Sequence, residues 1–464
     1  MNIRKNIQGV IVLFAAMFVL LVGYLSYSVY FYGESWFTNS HNTRLQTVKK
    51  SVIPGSILDR NGVVLAGADA TGNRVYATDY ADRLAYSHIV GDTAGMCPSG
   101  ADTLFASHLL GFRSGVTDRL AAALQGEKRT GDNVYLTMDA QLQHHAAALL
   151  DGHRGSIVLM NYETGAVYTL YSAPTFDPEN IQSALDENAG GFLQRATQGQ
   201  YAPGSTFKII TAAAALNADA GYMSYKFTCT GRYETQAGTQ NPVTCPSAHG
   251  ALDLPSAFAV SCNCYFANLG VTLGEDALKN TANQLCFSNE FSFDDIILYQ
   301  STLGDAETLD HLGWMAIGQH KDVVTPMHMA MITGAIANGG DMMRPFTLEK
   351  TVTYSGVAQT PSAPTKYRTV LSPAIAANLK TMMQNVVSWG TGARAQIDGY
   401  TVCGKTGTAE VSSNNSILPH AWFTGFLQEK PVCITVIVEN SGSGGTVAAP
   451  IARQMLQKYL ELGY

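Results

Sequence analysis

The chain has 464 residues, 46% of them apolar and 14% charged, with a formal net charge of −7. An acidic balance with no basic stripe excludes nucleic acid as an electrostatic partner. The length predicts about two or three domains, and eight cysteines in so long a chain exclude a small disulfide-held scaffold.

The N-terminus carries the first element. Arg4 and Lys5 precede an uncharged run from Gly9 to Val29, long enough for a bilayer that needs about 20 apolar residues. Tyr24, Tyr27, Tyr30, Phe31, Tyr32 and Trp36 gather at its far end, as in an interfacial aromatic belt. The two cations predict a cytoplasmic N-terminus and an exported body. An uncleaved single-pass anchor in the cell membrane fits better than a cleaved signal peptide, whose apolar core is about 7–15 residues. The divisions that follow are a tail at 1–8, an anchor at 9–30, an N-terminal domain at 31–150 and a second domain at 151–464.

After the anchor, Ile57-Leu58 and Val63-Val64-Leu65 read as two strands joined by an Asn61-Gly62 hairpin turn. Residues 102–125 read as partly helical. A strand at 131–138 leads to a helix at 140–150 capped by Asp139. Strands at 155–160 and 166–171 pair through Glu163-Thr-Gly165, and the region 200–390 is rich in helical patterns. Strands at 421–427 and 432–438 and a helix from Ala449 to about Leu462 close the chain. Strands, a helical insert, then strands and a closing helix predict an α+β domain with segregated layers.

Three short motifs carry chemistry. In Ser205-Thr206-Phe207-Lys208, a Pro203-Gly204 break precedes an apolar run, so Ser205 is placed at a helix start with Lys208 one turn later on the same face. A serine hydroxyl is a poor nucleophile until an adjacent base takes its proton. Lysine can be that base if burial or a second cation lowers its pKa, and Lys405 is the candidate cation. In Ser261-Cys262-Asn263, Ser261 is suited to relay a proton to a leaving amine, and Asn263 to hold Lys208 and a substrate amide. In Lys405-Thr406-Gly407-Thr408, a strand carries a glycine that admits a second backbone. Lys405 and Thr406 would recognise a carboxylate, an extended peptide would pair along the strand, and the N–H groups of Ser205 and Thr408 would form an oxyanion hole. S-x-x-K alone arises by chance about once or twice in such a length; the ordered trio does not.

With Gly55-Ser-Ile-Leu-Asp-Arg-Asn-Gly62, Tyr201-Ala-Pro-Gly204, Gly318-Gln319, Ala337-Asn-Gly-Gly340, Gly390-Thr-Gly392 and His420-Ala-Trp-Phe423, the trio resembles the class B penicillin-binding proteins over nearly the whole chain. Within that family it looks most like the penicillin-binding protein A type. The resemblance implies a serine β-lactamase-like transpeptidase domain at 151–464 on a small β-rich pedestal at 31–150. It implies a D,D-transpeptidase that cross-links peptidoglycan stem peptides and is acylated by β-lactams. Ser205 would be the nucleophile and Lys208 the base. Ser261, Asn263 and Lys405 would serve catalysis, and Thr406, Gly407 and Thr408 substrate binding. A membrane glycosyltransferase and other division or elongation proteins are the implied partners. The rivals are a D,D-carboxypeptidase or β-lactamase, which deacylate with water, and a non-catalytic wall-synthesis scaffold.

Among the cysteines, Cys229 and Cys245 flank a polar, glycine-containing stretch and are the expected bridge. Cys403 and Cys433 lie in strand-like runs and are expected to pack as small hydrophobes. Cys262 and Cys264 bracket Asn263, but a zinc site there lacks further ligands at suitable spacing; no metal or cofactor is expected. His320, Trp422 and Glu410 read as a satisfied structural histidine, core packing and a solvated strand end.

Overall fold

The computed structural model describes residues 3–38, 51–112, 128–187, 190–359, 363–411 and 417–464. The chain begins with one helix, Ile3–Thr38. Its segment Ile7–Ser28 has a mean hydropathy of 2.5 and its residues 7–27 are all exposed, which makes it a candidate membrane anchor. At about 1.5 Å per residue, that segment alone matches the roughly 30 Å of a bilayer's hydrocarbon.

A five-stranded antiparallel sheet organises the larger part, in the order Val402–Ala409, His420–Leu427, Val432–Val438, Gly155–Asn161, Val167–Ala173. Nearly every residue of these strands is buried, because helices cover both faces. The period of two still decides which layer each side chain meets. Ala421, Phe423, Ile434 and Val436 join Leu142, Ala146, Met455 and Leu456, from helices Ala140–Leu149 and Ala448–Glu461. Trp422, Phe426, Cys433 and Ile437 face the opposite core with Ile210, Met331 and Met383. That second layer holds helices Lys208–Ala218, Asn263–Leu273, Pro326–Ala337 and Pro373–Ser388. Lys208–Ala218 is apolar all round and lies inside the layer, with Ile209 to Ala215 all buried.

Local signals place the boundaries. Asp139 caps its helix by accepting from the N–H groups of Gln141 and Leu142. Ser372 and Thr325 cap theirs, each with proline in the first turn. The hairpin pairs Ile57 with Ala66 and Leu58 with Val64, around Gly62 at φ 86°. The partly helical stretch from 102 yields two short helices, Ala101–Leu104 and Ala106–Leu109, and residues 113–127 lie outside the described ones.

The smaller sheet has six strands, in the order Ala358–Gln359, Leu348–Val352, Asn133–Leu136, Ile57–Leu58, Val64–Ala68, Arg74–Tyr76. Two of them come from beyond residue 340, with Thr351 opposite Val134, so a cut at residue 150 would leave this sheet incomplete. The region 200–390 also contains β-structure. Phe227–Cys229 pairs with Gly250–Leu252, and Arg232–Tyr233 with Val243–Thr244. These short hairpins lie beside the start of helix Asn263–Leu273.

Candidate active site

Pro203 and Gly204 lead into a 3-10 turn, Gly204–Phe207, that runs into helix Lys208–Ala218. Ser205 is half-buried at the start of this turn and Lys208 fully buried. Gly204 has φ 52°, and a Cβ there would stand 2.6 Å from the carbonyl oxygen of Thr408. The turn is thereby pressed against strand Val402–Ala409, next to the residue expected to supply the second oxyanion donor. Gly407 makes a similar approach: a Cβ there would lie 3.0 Å from Thr206 Cγ2 and 3.1 Å from the Pro203 carbonyl. Strand Val402–Ala409 is the edge of its sheet, and its pairing sets Lys405 opposite Thr424 and Thr408 opposite Ala421.

The sequence between helices Leu254–Ala259 and Asn263–Leu273 brings in Ser261 at φ 56°, a left-handed conformation that costs an L residue about 1–2 kcal/mol. The turn aims Ser261 at two lysines. Lys208 Nζ donates to Ser261 O at 2.7 Å, Ser261 Oγ at 3.2 Å and Asn263 Oδ1 at 2.7 Å. Lys405 Nζ donates to Ser261 Oγ at 2.8 Å and to Thr406 O at 3.0 Å. With two lysine protons on its lone pairs, the Ser261 hydroxyl keeps its own proton as its remaining hydrogen-bonding capacity. Asn263 Nδ2 donates to Thr244 O at 2.9 Å, so the side chain ties Lys208 to the hairpin region.

Burial is the main force on the charges. Lys208 and Lys405 each have 0% exposure. Desolvation pulls the Lys208 ammonium down to about 8. Burial, with the Lys208 charge nearby, holds Lys405 well below the usual lysine range. Their flanks are aromatic: Lys208 Nζ lies 5.6 Å from the centre of the Phe266 ring, and Lys405 Nζ 5.6 Å from that of Phe258. The arrangement can therefore hold one lysine neutral beside a second cation, with a hydroxyl between them.

Thr391 escaped sequence reasoning as an individual residue. Its Oγ1 lies 2.6 Å from Thr406 Oγ1, and its N–H donates to Ala259 O, linking the Lys-Thr-Gly strand to the helix before Ser261. The glycines at 390 and 392 were the available signal. Trp422 is fully buried and donates from Nε1 to Ala202 O at 3.1 Å, behind the turn that bears Ser205. His320 contacts Asp305 O at 3.0 Å through Nε2 and stacks on His311. Glu410 is exposed.

Cys403 and Cys433 are buried in the core as expected, but the expected bridge is not formed. All eight are free thiols, Cys229 and Cys245 included. Cys245 Sγ instead contacts Cys262 Sγ at 3.7 Å, because the paired hairpins fold back over the start of helix Asn263–Leu273. That same folding brings His249 and Cys229 beside Cys262, so ligating partners, missing along the sequence, are present in space.

The penicillin-binding protein transpeptidase domain family matches this chain over residues 155–457. The chain belongs to the penicillin-binding protein transpeptidase family. It is 29% identical to the peptidoglycan D,D-transpeptidase PbpA of Mycolicibacterium smegmatis, over 99% of this chain and 100% of that protein. It is 31% identical to PbpA of Mycobacterium tuberculosis, over 74% of this chain and 75% of that protein. Among solved structures, penicillin-binding protein A of M. tuberculosis as its penicillin G acyl-enzyme complex superimposes with a TM-score of 0.78 at 28% identity. That match covers 88% of this chain and 100% of the other. The D,D-transpeptidase domain of a peptidoglycan glycosyltransferase from Eggerthella lenta superimposes with a TM-score of 0.76 at 29% identity, over 89% and 99% of the two chains. The central antiparallel sheet between helical layers is thus the family's fold, preceded here by the apolar N-terminal helix.

Proposed function

We propose that this chain is a membrane-anchored peptidoglycan D,D-transpeptidase whose nucleophile is Ser205. The observation that carries the reading is the pair of fully buried lysines, Lys208 and Lys405, joined through Ser261 Oγ beside the Ser205 turn. Neutral Lys208 accepts the Ser205 proton as Oγ attacks the carbonyl between the two terminal D-alanines of a stem peptide. The developing oxyanion is held by the N–H groups of Ser205 and Thr408. Collapse breaks the peptide bond, and the departing D-alanine amine takes a proton from Ser261, which is resupplied through the lysines. An amine of a neighbouring stem then attacks the acyl-enzyme and restores Ser205. A β-lactam follows the same first steps, but its ring-opened amine stays tethered and blocks the second attack.

Lys405 and Thr406 face the substrate carboxylate, and the open edge of Val402–Ala409 pairs with the extended peptide. Arg4 and Lys5 favour a cytoplasmic N-terminus, with the catalytic domain outside. Such an enzyme joins strands polymerised elsewhere, which makes a membrane glycosyltransferase its natural partner.

The test is intact mass over time, for the full-length protein in detergent with benzylpenicillin, beside Ser205→Ala. A long-lived single adduct on the wild type and none on the variant is the expected result. An adduct lost within seconds would replace the transpeptidase with a hydrolase, and no adduct on folded wild type would replace it with a scaffold.

A further inference from the structure

Outside the acyl-transfer residues, the fold gathers a second set of reactive side chains. Cys229 ends strand Phe227–Cys229, Cys245 follows strand Val243–Thr244, and His249 precedes strand Gly250–Leu252. Cys262 is the N-cap of helix Asn263–Leu273. Their three sulfurs and one imidazole nitrogen all lie within 4.8 Å of one another.

Two edges of this group are in contact range. Cys245 Sγ lies 3.7 Å from Cys262 Sγ, and Cys229 Sγ lies 3.6 Å from His249 Nδ1. A tetrahedral zinc with bonds of about 2.3 Å to sulfur and about 2.0–2.1 Å to nitrogen has S–S edges of about 3.8 Å and S–N edges of about 3.5–3.6 Å. Both observed edges match. A disulfide requires about 2.05 Å between sulfurs.

Backbone donors face two of the sulfurs. The Cys264 N–H points at Cys245 Sγ and the Tyr265 N–H at Cys262 Sγ, each at 3.4 Å. Backbone donors of this kind stabilise a metal-bound sulfur, and Cys262 also sits at the N-terminus of an 11-residue helix. Cys229 and Cys262 are buried, while Cys245 and His249 are partly exposed, which leaves an entry path. A second group, Glu307, His311 and His320, is more exposed, and its carboxylate already pairs with Lys321.

We propose that Cys229, Cys245, His249 and Cys262 bind one zinc ion as a closed structural site. Zn2+ replaces three thiol protons, the imidazole binds neutral, and the site is left with a net charge of −1; no oxidant or reductant is needed. Cys262 lies between Ser261 and Asn263, so the ion would fasten the hairpins of 227–252 to the turn carrying both residues. The bond from Asn263 Nδ2 to Thr244 O already joins the same two pieces. Metal loading would thereby fix the left-handed Ser261 turn that positions both lysines.

The full-length protein in detergent is stripped with a chelator and titrated with Co2+ alone, then with Zn2+. The expected result is one Co2+ per chain, with the thiolate charge-transfer and visible bands of tetrahedral cobalt, bleached by one equivalent of Zn2+. X-ray absorption of the zinc form should give about three sulfurs near 2.3 Å and one nitrogen near 2.0–2.1 Å. Cys229→Ser and His249→Gln, both outside the acyl-transfer residues, should each weaken zinc binding at least about tenfold. Stripping should slow benzylpenicillin acylation and zinc should restore it. A cobalt spectrum without thiolate bands, or a disulfide among Cys229, Cys245 and Cys262 in the protein as isolated, would overturn the site. Acylation indifferent to metal would overturn its positioning role. The metal readouts stand apart from the transpeptidase reading, which rests on the Ser205 adduct.

Discussion

Replacing Gly204 by alanine separates the two ways in which a glycine serves the acyl-transfer site. At φ 52°, an added Cβ would stand 2.6 Å from the Thr408 carbonyl oxygen and 2.9 Å from its carbonyl carbon. A relaxed C···O contact is about 3.3 Å or more, so the Ser205 turn and the Thr408 strand must part by about 0.7 Å. That gap opens between the two proposed oxyanion donors. Losing one such donor costs about 10²–10³ in rate, and a misplacement near 1 Å costs about 10². Gly204→Ala is therefore expected to slow acylation by benzylpenicillin about 10²-fold, with Ser205 and Lys208 both present. Gly399→Ala is the control, because Gly399 has φ 81° but nothing within 4 Å of its added Cβ. Each variant incurs the left-handed penalty of about 1–2 kcal/mol, seen as a lower Tm, but only Gly204→Ala should lose acylation rate. The assay is intact mass against time at several penicillin concentrations. Gly204→Ala acylating within threefold of wild type would refute the idea that this backbone approach assembles the oxyanion site.

Acylation should also depend on pH through Lys208. With its ammonium near 8, about a tenth is neutral at pH 7, so the rate should climb up to about tenfold towards pH 9 and then level; a flat profile would exclude Lys208 as the base. Thr391→Val removes the 2.6 Å contact to Thr406 Oγ1. It should raise the penicillin concentration needed for half-maximal acylation about tenfold, since a lost buried hydrogen bond costs roughly 1–3 kcal/mol. The limiting rate should stay within about twofold, and equal loss in both parameters would argue against a carboxylate-binding role. Asp322 is 1% exposed, and burial raises its carboxyl from 3.8 to about 7. Between those values the folded state keeps a proton that the unfolded state has lost. Its contribution to stability is thus full below about pH 4 and is lost as pH rises through 7, in all roughly 4 kcal/mol. Asp322→Asn should flatten the fall in Tm between pH 5 and 8, and a wild-type Tm already flat over that window would contradict this.

Legibility from sequence followed the range of the interactions. The hairpin at 57–68 and the Asp139 cap were readable because a turn or a side chain three residues away decides them. The closing strands were readable because burial on both faces leaves runs such as Val432–Val438 uniformly apolar. Ser205, Lys208, Ser261, Asn263 and Lys405 were picked out by residue type and order, yet how they meet was not readable. Ser261 reaches Lys405 across 144 positions of sequence. Leu348–Val352 is partly buried with no clear alternation, and only its pairing with Asn133–Leu136 gives it a sheet. His249 stands in a polar turn with no local ligating pattern, and the hairpins around it are two or three residues long, too short to leave a periodic signal. The disulfide expected between Cys229 and Cys245 came from the polar, glycine-containing stretch that they flank; the fold sets Cys245 against Cys262 instead.

The six-stranded sheet has a consequence for how the chain is made. Synthesis runs from the N-terminus, so Asn133–Leu136 emerges roughly two hundred residues before its neighbour Leu348–Val352. At about 5–20 residues per second, that is a wait on the order of ten to forty seconds. Throughout it the nascent chain exposes an unsatisfied strand border, the kind of template on which other chains aggregate. A ribosome that stalls before residue 348 would leave that border open for good, making the incomplete product a client for chaperones and proteases.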